Sequence, residues 1–407
     1  MKKNSSIAVL GTFDSKGEEH RFIQRRIEER GQSALTIHVG VKAPSPFPVD
    51  MDLFAEMQKS GIKGAGSRDK AIDAMIVIAR KRVGDLYAAG AISGVISAGG
   101  GSGTHLCTRV MQILPVGIPK VMVSTVASRD MAQIVGTKDI TMMHSVVDLL
   151  GVNSISGGVL DRAAAAICGM VQSRWHPAKK KKRIALTFFG FITAAAENVK
   201  KYLEKSGYEV IPFHANGTGG MAMEELSAEG YFQGILDLAT HELADALKGG
   251  YCGGIGPGRL EPAAGGHLPR LVVPGGLDCA VLEFTRDTIP LEYKDRKIFF
   301  YDFRSAIRLT DDETRILAKQ LAAKVNKSVP DIKILIPLRG WSEADREGGT
   351  LFAPDATQLF IHTLREDINP DIEVKEVDHH INEPPFARIA ADMMDAMIKN
   401  QSLDKTA

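Results

Sequence analysis

Short apolar stretches alternate with amphipathic stretches in the first half of the chain, and this pattern predicts strands separated by helices. The apolar segment Ile7–Leu10 precedes Ser15–Arg30, in which large apolar residues recur at helical spacing until Gly31 ends the predicted helix. The further predicted elements are the strands Ala34–Val39, Gly94–Ser97 and Lys120–Ser124 and the long helix Ser67–Ala89. Strands joined by helices favour a parallel sheet with right-handed crossovers.

The same pattern restarts after the basic run Lys179–Arg183, which predicts a domain boundary. The predicted elements beyond it are the strands Ile184–Phe188, Glu209–Phe213, Gly234–Asp237, Arg270–Val273 and Lys333–Pro337 and the helices Ala194–Ser206 and Phe386–Asn400. The stretches "IAVLGTFDSKGEE" and "IALTFFGFITAAAE" suggest an internal duplication, although two doubly wound sheets with shared physical needs would also produce this likeness. We therefore predict an α/β protein with two doubly wound domains of mostly parallel sheets, residues 1–178 and 179–407.

Composition narrows the class of protein. A chain of 407 residues is long for one core, and its net charge of +1 gives no general attraction to nucleic acid or anionic membranes. The N-terminus lacks a secretory pattern, and no apolar run reaches the roughly 20 residues of a membrane span. The four cysteines are scattered without a CxxC pair, which disfavours a disulfide framework or structural zinc. We expect a cytoplasmic protein without a nucleic-acid or membrane partner.

Glycine-rich loops follow the predicted strands, where open parallel sheets bind their ligands. The loop after Ile7–Leu10 runs into a helix whose free N–H groups and positive dipole end suit a phosphate, and Lys16 adds a charge. The candidates in this first loop are Gly11, Thr12, Asp14, Lys16 and Gly17. The alternative is that Asp14 or Ser15 only caps the helix.

The strongest signal is the run after Gly94–Ser97, because four glycines within five residues cost chain entropy that a plain turn does not require. Successive backbone amides there can form a nest for an anion, assisted by hydroxyl groups. The candidates in this second loop are Gly99, Gly100, Gly101, Ser102, Gly103 and Thr104, joined by Thr125 from the loop after Lys120–Ser124. The alternative is a flexible connector.

The second half carries a parallel set of candidates. The loop after Glu209–Phe213 resembles an anion cradle, and further polar residues follow the next strands. The candidate ligand contacts are His214, Thr218, Gly219, Gly220, Glu242, Arg259 and Asp278. His241 and Asp245 share one helical face, but without a third ligand a helix cap is the better interpretation, so we predict no metal site. At most one histidine of Asp378–Asn382 can serve a site, because neighbouring side chains on an extended segment point apart.

These loops resemble a known family. The segments "GTFDSKGEE", "SAGGGSGT", "STVAS", "FHANGTGGMAMEEL", "LDLATHELAD" and "DHHINEPPFA" together resemble the family of the tomato mosaic virus resistance protein's N-terminal ATP-binding domain, over nearly the whole chain. The resemblance implies two Rossmann-like domains, ATP binding through the first two loops, and a homodimer. Asp14 would be a candidate Mg²⁺ ligand. The chain departs from the family pattern at Arg129, Ala239 and His241.

The chain carries no G-x-S-x-G, HExxH or CxxC motif, so its sequence leaves open whether it is an enzyme. One hypothesis is an ATP-binding protein, with a small acidic or phosphorylated metabolite held by the second domain. A second is a metabolic enzyme acting on a phosphorylated or carboxylated molecule. A third is a non-catalytic module whose contacts with a protein partner depend on nucleotide.

Overall fold

The structure is a computed structural model that describes residues 5–59, 67–175, 181–262 and 268–404. The chain divides into two compact units, Met1–His176 and Pro177–Ala407, called here the N-terminal and C-terminal units. The predicted boundary between residues 178 and 179, and the start of the basic run, lie outside the described residues.

The N-terminal unit is a parallel sheet with helices on both faces. Its strands are β1 (Ser6–Gly11), β2 (Ala34–His38), β3 (Met51–Asp52), β4 (Ile92–Gly99), β5 (Lys120–Ser124) and β6 (Ile140–His144). Its helices are α1 (Phe13–Glu28), α2 (Phe54–Lys59), α3 (Arg68–Ala88), α4 (Gly101–Met111), α5 (Ala132–Val135) and α6 (Ser154–Gln172). The order β3-β2-β1-β4-β5-β6, with every pair parallel, is that of a doubly wound nucleotide-binding fold.

Apolar residues on both faces of the central strands explain this layering. Ala8 and Leu10 of β1 contribute to one buried cluster, whereas Ile7 and Val9 contribute to the cluster on the other face. Among the described residues, α6 is the one helix long and apolar enough to cross a membrane, and it packs against α1, β4 and β5. Its apolar face is therefore used in the core of the unit.

The C-terminal unit repeats the architecture with another strand order and an added sheet. Its strands are β7 (Arg183–Phe188), β8 (Glu209–His214), β9 (Gly234–Ala239), β10 (Arg270–Gly275), β11 (Cys279–Leu282), β12 (Ile298–Phe300), β13 (Ser305–Arg308), β14 (Ile332–Pro337) and β15 (Glu373–Val377). Its helices are α7 (Thr193–Lys205), α8 (Thr218–Ala228), α9 (Glu242–Lys248), α10 (Asp311–Val325), α11 (Pro354–Asp367) and α12 (Pro384–Asp404). The parallel sheet has the order β15-β14-β10-β9-β7-β8, and β11-β13-β12 form an antiparallel sheet that the sequence analysis did not predict.

The prediction of two Rossmann-like domains is confirmed, and the strand orders locate the ligand-binding edge of each. The direction of winding reverses between β1 and β4 in the N-terminal unit and between β7 and β9 in the C-terminal unit. Ligands of such sheets bind beyond the carboxyl ends of the strands at this reversal. Apart from the two-residue strand β3, the parallel sheet of each unit has its second strand on one side of the first strand and its remaining strands on the other.

Candidate functional site

The turn from β4 into α4 exposes backbone donors. Gly100 is the N-cap of α4, and no side chain caps the helix. The first amide bonded within the helix is that of Thr104, which donates to the Gly100 carbonyl at 2.8 Å. Within the described part of the chain, the amides of Gly101, Ser102 and Gly103 have no protein acceptor. Three free N–H groups at the positive end of a helix dipole are suited to an anion.

Packing within the chain explains the glycine at position 99, where a Cβ would lie 3.2 Å from the Gly103 backbone, but not Gly100, Gly101 and Gly103. A Cβ at Gly101 or Gly103 would meet no atom within 4 Å, and neither residue has a positive φ. At Gly100 the nearest atom would be Thr125 Oγ1, at an ordinary 3.7 Å. The missing side chains leave open space directly over the free amides, as close approach of a ligand requires. We call Gly100–Gly103 with Thr125 the amide cradle.

The first glycine loop serves packing instead. A Cβ at Gly11 would overlap the buried ring of His20, and one at Gly17 would overlap the ring of Phe47. His20 accepts from the Ala98 amide at 3.3 Å through Nε2, so it links α1 to β4. Burial lowers the pKa of His20 to about 4, which keeps the ring neutral.

The charged candidates of the first loop already have protein partners. The Asp14 carboxylate accepts from the Lys42 amide at 3.0 Å and anchors the loop after β2. The ammonium group of Lys16 donates to the Leu149 carbonyl. Thr12 is the N-cap of α1 without a side-chain cap bond. The alternative, a helix cap by Asp14 or Ser15, is not formed, and Asp14 and Lys16 are each held by a protein partner.

Two hydroxyl candidates beside the cradle have different surroundings. Thr104 is buried, and its hydroxyl group lies 2.7 Å from the Ser124 hydroxyl, so it fixes the turn between β4 and α4. Thr125 donates its amide to the Gly99 carbonyl at 3.1 Å, which holds its side chain beside Gly100. Thr125 is therefore the better placed of the two hydroxyl groups for a ligand.

A pocket of about 390 Å³ lies at the start of α1. Its lining includes the carboxylates of Asp14 and Glu18, together with the ring of Phe47. Carboxylates repel a phosphate, so this pocket is less suited to the charged part of a nucleotide than the amide cradle is.

The C-terminal unit gathers buried charges beside β9 and β10 of its sheet. Asp237 of β9, Arg270 of β10, Glu224 of α8, Glu242 of α9 and Arg259 form what we call the ion network. Arg259 is 1% exposed and holds both oxygens of Asp237, at 2.5 and 2.7 Å. Its remaining donors contact Glu242 at 2.8 Å, Glu224 at 3.2 Å and a backbone carbonyl, so all five N–H groups are engaged.

The network contains three carboxylates and two guanidinium groups, and the pKa values of its carboxyl groups shift in different directions. Burial opposes the charge of Asp237, yet the bidentate contact with Arg259 holds the pKa of Asp237 below its usual value. Burial raises the pKa of Glu242 despite its contact with Arg259. Arg259 itself has a pKa raised well above the usual value, because the carboxylates around it outweigh its burial.

The predicted cradle of the C-terminal unit is closed by these groups. A Cβ at Gly220 would lie 2.7 Å from Arg259 Nε and would also overlap the Glu242 carboxylate. A Cβ at Gly219 would overlap the His214 carbonyl, and the Gly219 amide donates to Asn216 Oδ1 at 3.0 Å. The glycines of this loop thus make room for protein atoms.

The remaining candidates of this unit are dispersed. Thr218 and His214 are exposed, and partial burial of the ring lowers the pKa of His214. Asp278 belongs to a separate buried group, in which it accepts from the Ser342 hydroxyl at 2.9 Å and its other oxygen has no partner among the residues described. Burial and the neighbouring Asp345 raise the pKa of Asp278 to about 7. The structure brings Glu242, Arg259 and Gly220 together and leaves Asp278 outside the network.

Sequence reasoning missed the residues that complete these clusters. The sequence groups Asp237 with Glu242 as polar residues near a strand end but assigns Arg270 only to a strand, although a charged residue in a fully buried strand signals a buried partner. The third ligand judged absent beside His241 and Asp245 is present, because Cys252 brings its sulfur within 4.8 Å of both.

The paired histidines are separated as predicted. His380 is buried and its Nε2 lies 2.9 Å from the Ser342 carbonyl, whereas His379 pairs with Glu383 at 3.0 Å. His380 and Glu383 also line a cavity of about 750 Å³ near the ends of β14 and β15.

Comparison with known proteins covers both units. A model of the uncharacterised protein family UPF0261, N-terminal domain, matches residues 5–176, and the model of its C-terminal domain matches residues 181–398. A UPF0261 protein of Clostridium tetani is 38% identical over 397 residues, which are 94% of this chain and 96% of that protein. A UPF0261 protein of Mesorhizobium japonicum is 34% identical over 96% of this chain and 98% of its own length.

A plant relative is also found. The tomato (Solanum lycopersicum) ToMV resistance protein Tm-1(GCR237) is 36% identical over 311 residues. The aligned part covers 74% of this chain and 41% of the tomato protein. The expected resemblance to the family of that protein is confirmed.

Proposed function

This chain belongs to the UPF0261 family, and from that premise we propose that its N-terminal unit binds ATP, with the phosphates at the amide cradle. The observation that supports this proposal most directly is the group of three free amides at the start of α4. They lie at the edge of the sheet where nucleotides bind in doubly wound folds.

Phosphate fits the cradle better than a carboxylate or a neutral ligand does. The amides of Gly101, Ser102 and Gly103 supply donors for several oxygens at once, and a phosphate chain offers enough oxygens to use them all. Open space at Gly101 and Gly103 lets these oxygens reach the backbone. The exposed hydroxyl group of Ser102 and the side chain of Thr125 add polar contacts at the rim.

ATP is proposed as the nucleotide because the loops resemble an ATP-binding family, with Mg²⁺ as its companion ion. Asp14 is the carboxylate of the first loop available to Mg²⁺, because the Lys42 amide occupies only one of its acceptor positions. The proposal is limited to binding. Arg259, expected to hold an acidic substrate in the C-terminal unit, has no donor left for one.

Two further expectations belong to this proposal. The four cysteines are free and buried, as suits a reducing cytoplasm. The homodimer rests on the resemblance alone and is tested by measuring the mass of the chain in solution with and without nucleotide.

Calorimetric titration of the whole chain with ATP and Mg²⁺ tests the proposal. We expect the wild type to bind ATP and the Gly101→Val variant to bind at least about tenfold more weakly, because the added side chain covers free amides worth more than ~1.4 kcal/mol to a bound anion. Gly169→Ala is the matched control, since Gly169 lies on α6 with no atom near its Cβ position. Absence of ATP binding to the wild type, or equal affinity of Gly101→Val, would refute the proposal.

A further inference from the structure

Three potential metal ligands meet at the start of α9. One ring nitrogen of His241, one carboxylate oxygen of Asp245 and the sulfur of Cys252 all lie within 4.8 Å of one another. All three residues are buried, with His241 1% and Asp245 0% exposed. In a tetrahedral metal site, ligand atoms lie roughly 3.3–3.8 Å apart, so small movements would close the cluster around an ion.

The local fold explains how these residues meet. His241 directly precedes α9 and Asp245 lies one turn further on, so both occupy one face. Gly249 ends the helix with φ of 65°, a left-handed conformation that glycine adopts without strain. The chain then reverses through the Gly250 amide, which donates to the Asp245 carbonyl at 2.7 Å, and Cys252 returns to the same face.

His241 has an unmet requirement for a partner. Among the residues that the structure describes, neither of its ring nitrogens has a hydrogen-bond partner, although the ring is buried and stacks on Phe189 at 3.8 Å between centroids. A neutral imidazole keeps a lone pair on one ring nitrogen, and a metal ion binds through that lone pair. A buried polar group without a partner calls for an explanation, and a bound ion is one of the few available.

Backbone hydrogen bonds hold the Asp245 carboxylate in place. Each oxygen of Asp245 accepts one backbone amide, from Val281 and Cys252, both at 2.8 Å. These bonds orient the carboxylate as outer-shell contacts orient metal ligands, and each oxygen keeps a second lone pair. The adjacent ion network has one more carboxylate than guanidinium groups, so a cation would also offset a local excess of negative charge.

We propose that His241, Asp245 and Cys252 form a binding site for a divalent transition metal, with Zn²⁺ as the preferred ion. One imidazole nitrogen, one carboxylate oxygen and one thiolate sulfur are ligands that zinc accepts together, whereas calcium and magnesium prefer oxygen alone. Three protein ligands leave the fourth tetrahedral position to water or to a substrate group. Binding converts the Cys252 thiol to a thiolate and releases its proton to solvent.

Cobalt substitution in the whole chain tests this site without any assumption about ATP. The wild type, freed of metal by a chelator and given one equivalent of Co²⁺, is expected to show the ligand-field bands of tetrahedral cobalt and a thiolate-to-cobalt charge-transfer band. Zn²⁺ should abolish both. We expect Cys252→Ser to lose the charge-transfer band and to bind Co²⁺ at least about tenfold more weakly than the wild type. Cys168→Ser in the N-terminal unit should keep the band and the wild-type affinity for Co²⁺.

Several results would overturn the site. They are a wild type that takes up no Co²⁺ or shows no thiolate band, a Cys252→Ser variant that keeps the full band, and a band that disappears in Cys168→Ser. If Cys252→Ser does not fold, single serine substitutions of Cys107, Cys168 and Cys279 identify the thiolate by elimination. Survival of the band in all three supports Cys252, and its loss in any of them contradicts the assignment.

Discussion

The two units build the same kind of sheet but use its carboxyl edge in opposite ways. In the N-terminal unit the turn after β4 leaves three amides free and open space above its glycines. In the C-terminal unit the ion network lies beside β9 and β10, and the glycines of the loop after β8 make room for Glu242 and Arg259. A doubly wound fold therefore does not imply a nucleotide site in each copy. What the space beside each glycine contains distinguishes a ligand cradle from a packed turn.

The largest expected effect is a loss of stability of the C-terminal unit when its ion network is disrupted. Replacing Arg259 by Met leaves Asp237 and Glu242 buried without their main partner, so we expect a loss of about 3–5 kcal/mol in the free energy of unfolding of the C-terminal unit. Denaturant unfolding measures it. The exposed pair Arg388–Asp392 supplies the control, because Arg388→Ala should cost at most about 1 kcal/mol. Similar costs for both variants would contradict a tightly engaged network.

The pH dependence of the unfolding free energy tests whether the buried carboxyl group of Asp278 is protonated in the folded chain. The pKa of Asp278 is raised to about 7 in the folded chain, from a usual 3.8. The folded state therefore binds a proton that the unfolded state releases, so the contribution of Asp278 to stability falls as pH rises from about 4 to 7. This contribution is up to about 4 kcal/mol, and buried His20 with its lowered pKa contributes in the opposite direction. The difference in unfolding free energy between the wild type and Asp278→Asn should therefore change across this pH range, and a constant difference would show that Asp278 does not titrate there.

A pair of glycine substitutions tests the packed turn. Gly220→Ala places a methyl group against Glu242 and Arg259, so we expect a loss of about 1–3 kcal/mol in the unfolding free energy of the C-terminal unit. Gly230→Ala is not a suitable control because its φ is 77°, whereas Gly254 has open space and no positive φ. Gly254→Ala should change stability little, and an equal loss in both variants would remove the argument from crowding.

The smallest effect has the opposite sign and belongs to the open cradle. Gly101→Ala adds a methyl group in free space at the first position of α4, so the N-terminal unit should gain about 0.5–1 kcal/mol in unfolding free energy. The same variant should bind ATP more weakly. Thermal unfolding and ATP titration of one preparation measure both effects. A loss of stability would mean that Gly101 serves packing after all.

Much of the fold followed from local patterns. The sequence predicts the central strands because apolar runs such as Ile7–Leu10 are buried on both faces. Helix α1 ends at Glu28, a few residues before the end predicted from Gly31. The antiparallel sheet β11-β13-β12 was missed because its three- and four-residue strands are too short to carry an alternating pattern.

The candidate sites were less predictable because side-chain partners distant in the chain decide them. Arg259 was expected to clamp a ligand, but Glu224, Asp237 and Glu242 engage it, and only the fold brings these acids together. Cys252 joins His241 through a chain reversal at Gly249 that spacing alone does not reveal. The sequence correctly places the glycines of the amide cradle at a turn between a strand and a helix. A run of glycines can be recognised without knowing which distant residues lie beside it.

The most direct measurement of the central claim is a crystal structure of the chain with a non-hydrolysable ATP analogue and Mg²⁺. We predict phosphate oxygens at about 2.7–3.2 Å from the amide nitrogens of Gly101, Ser102 and Gly103. An analogue bound elsewhere, with these three amides facing only water, would contradict the claim.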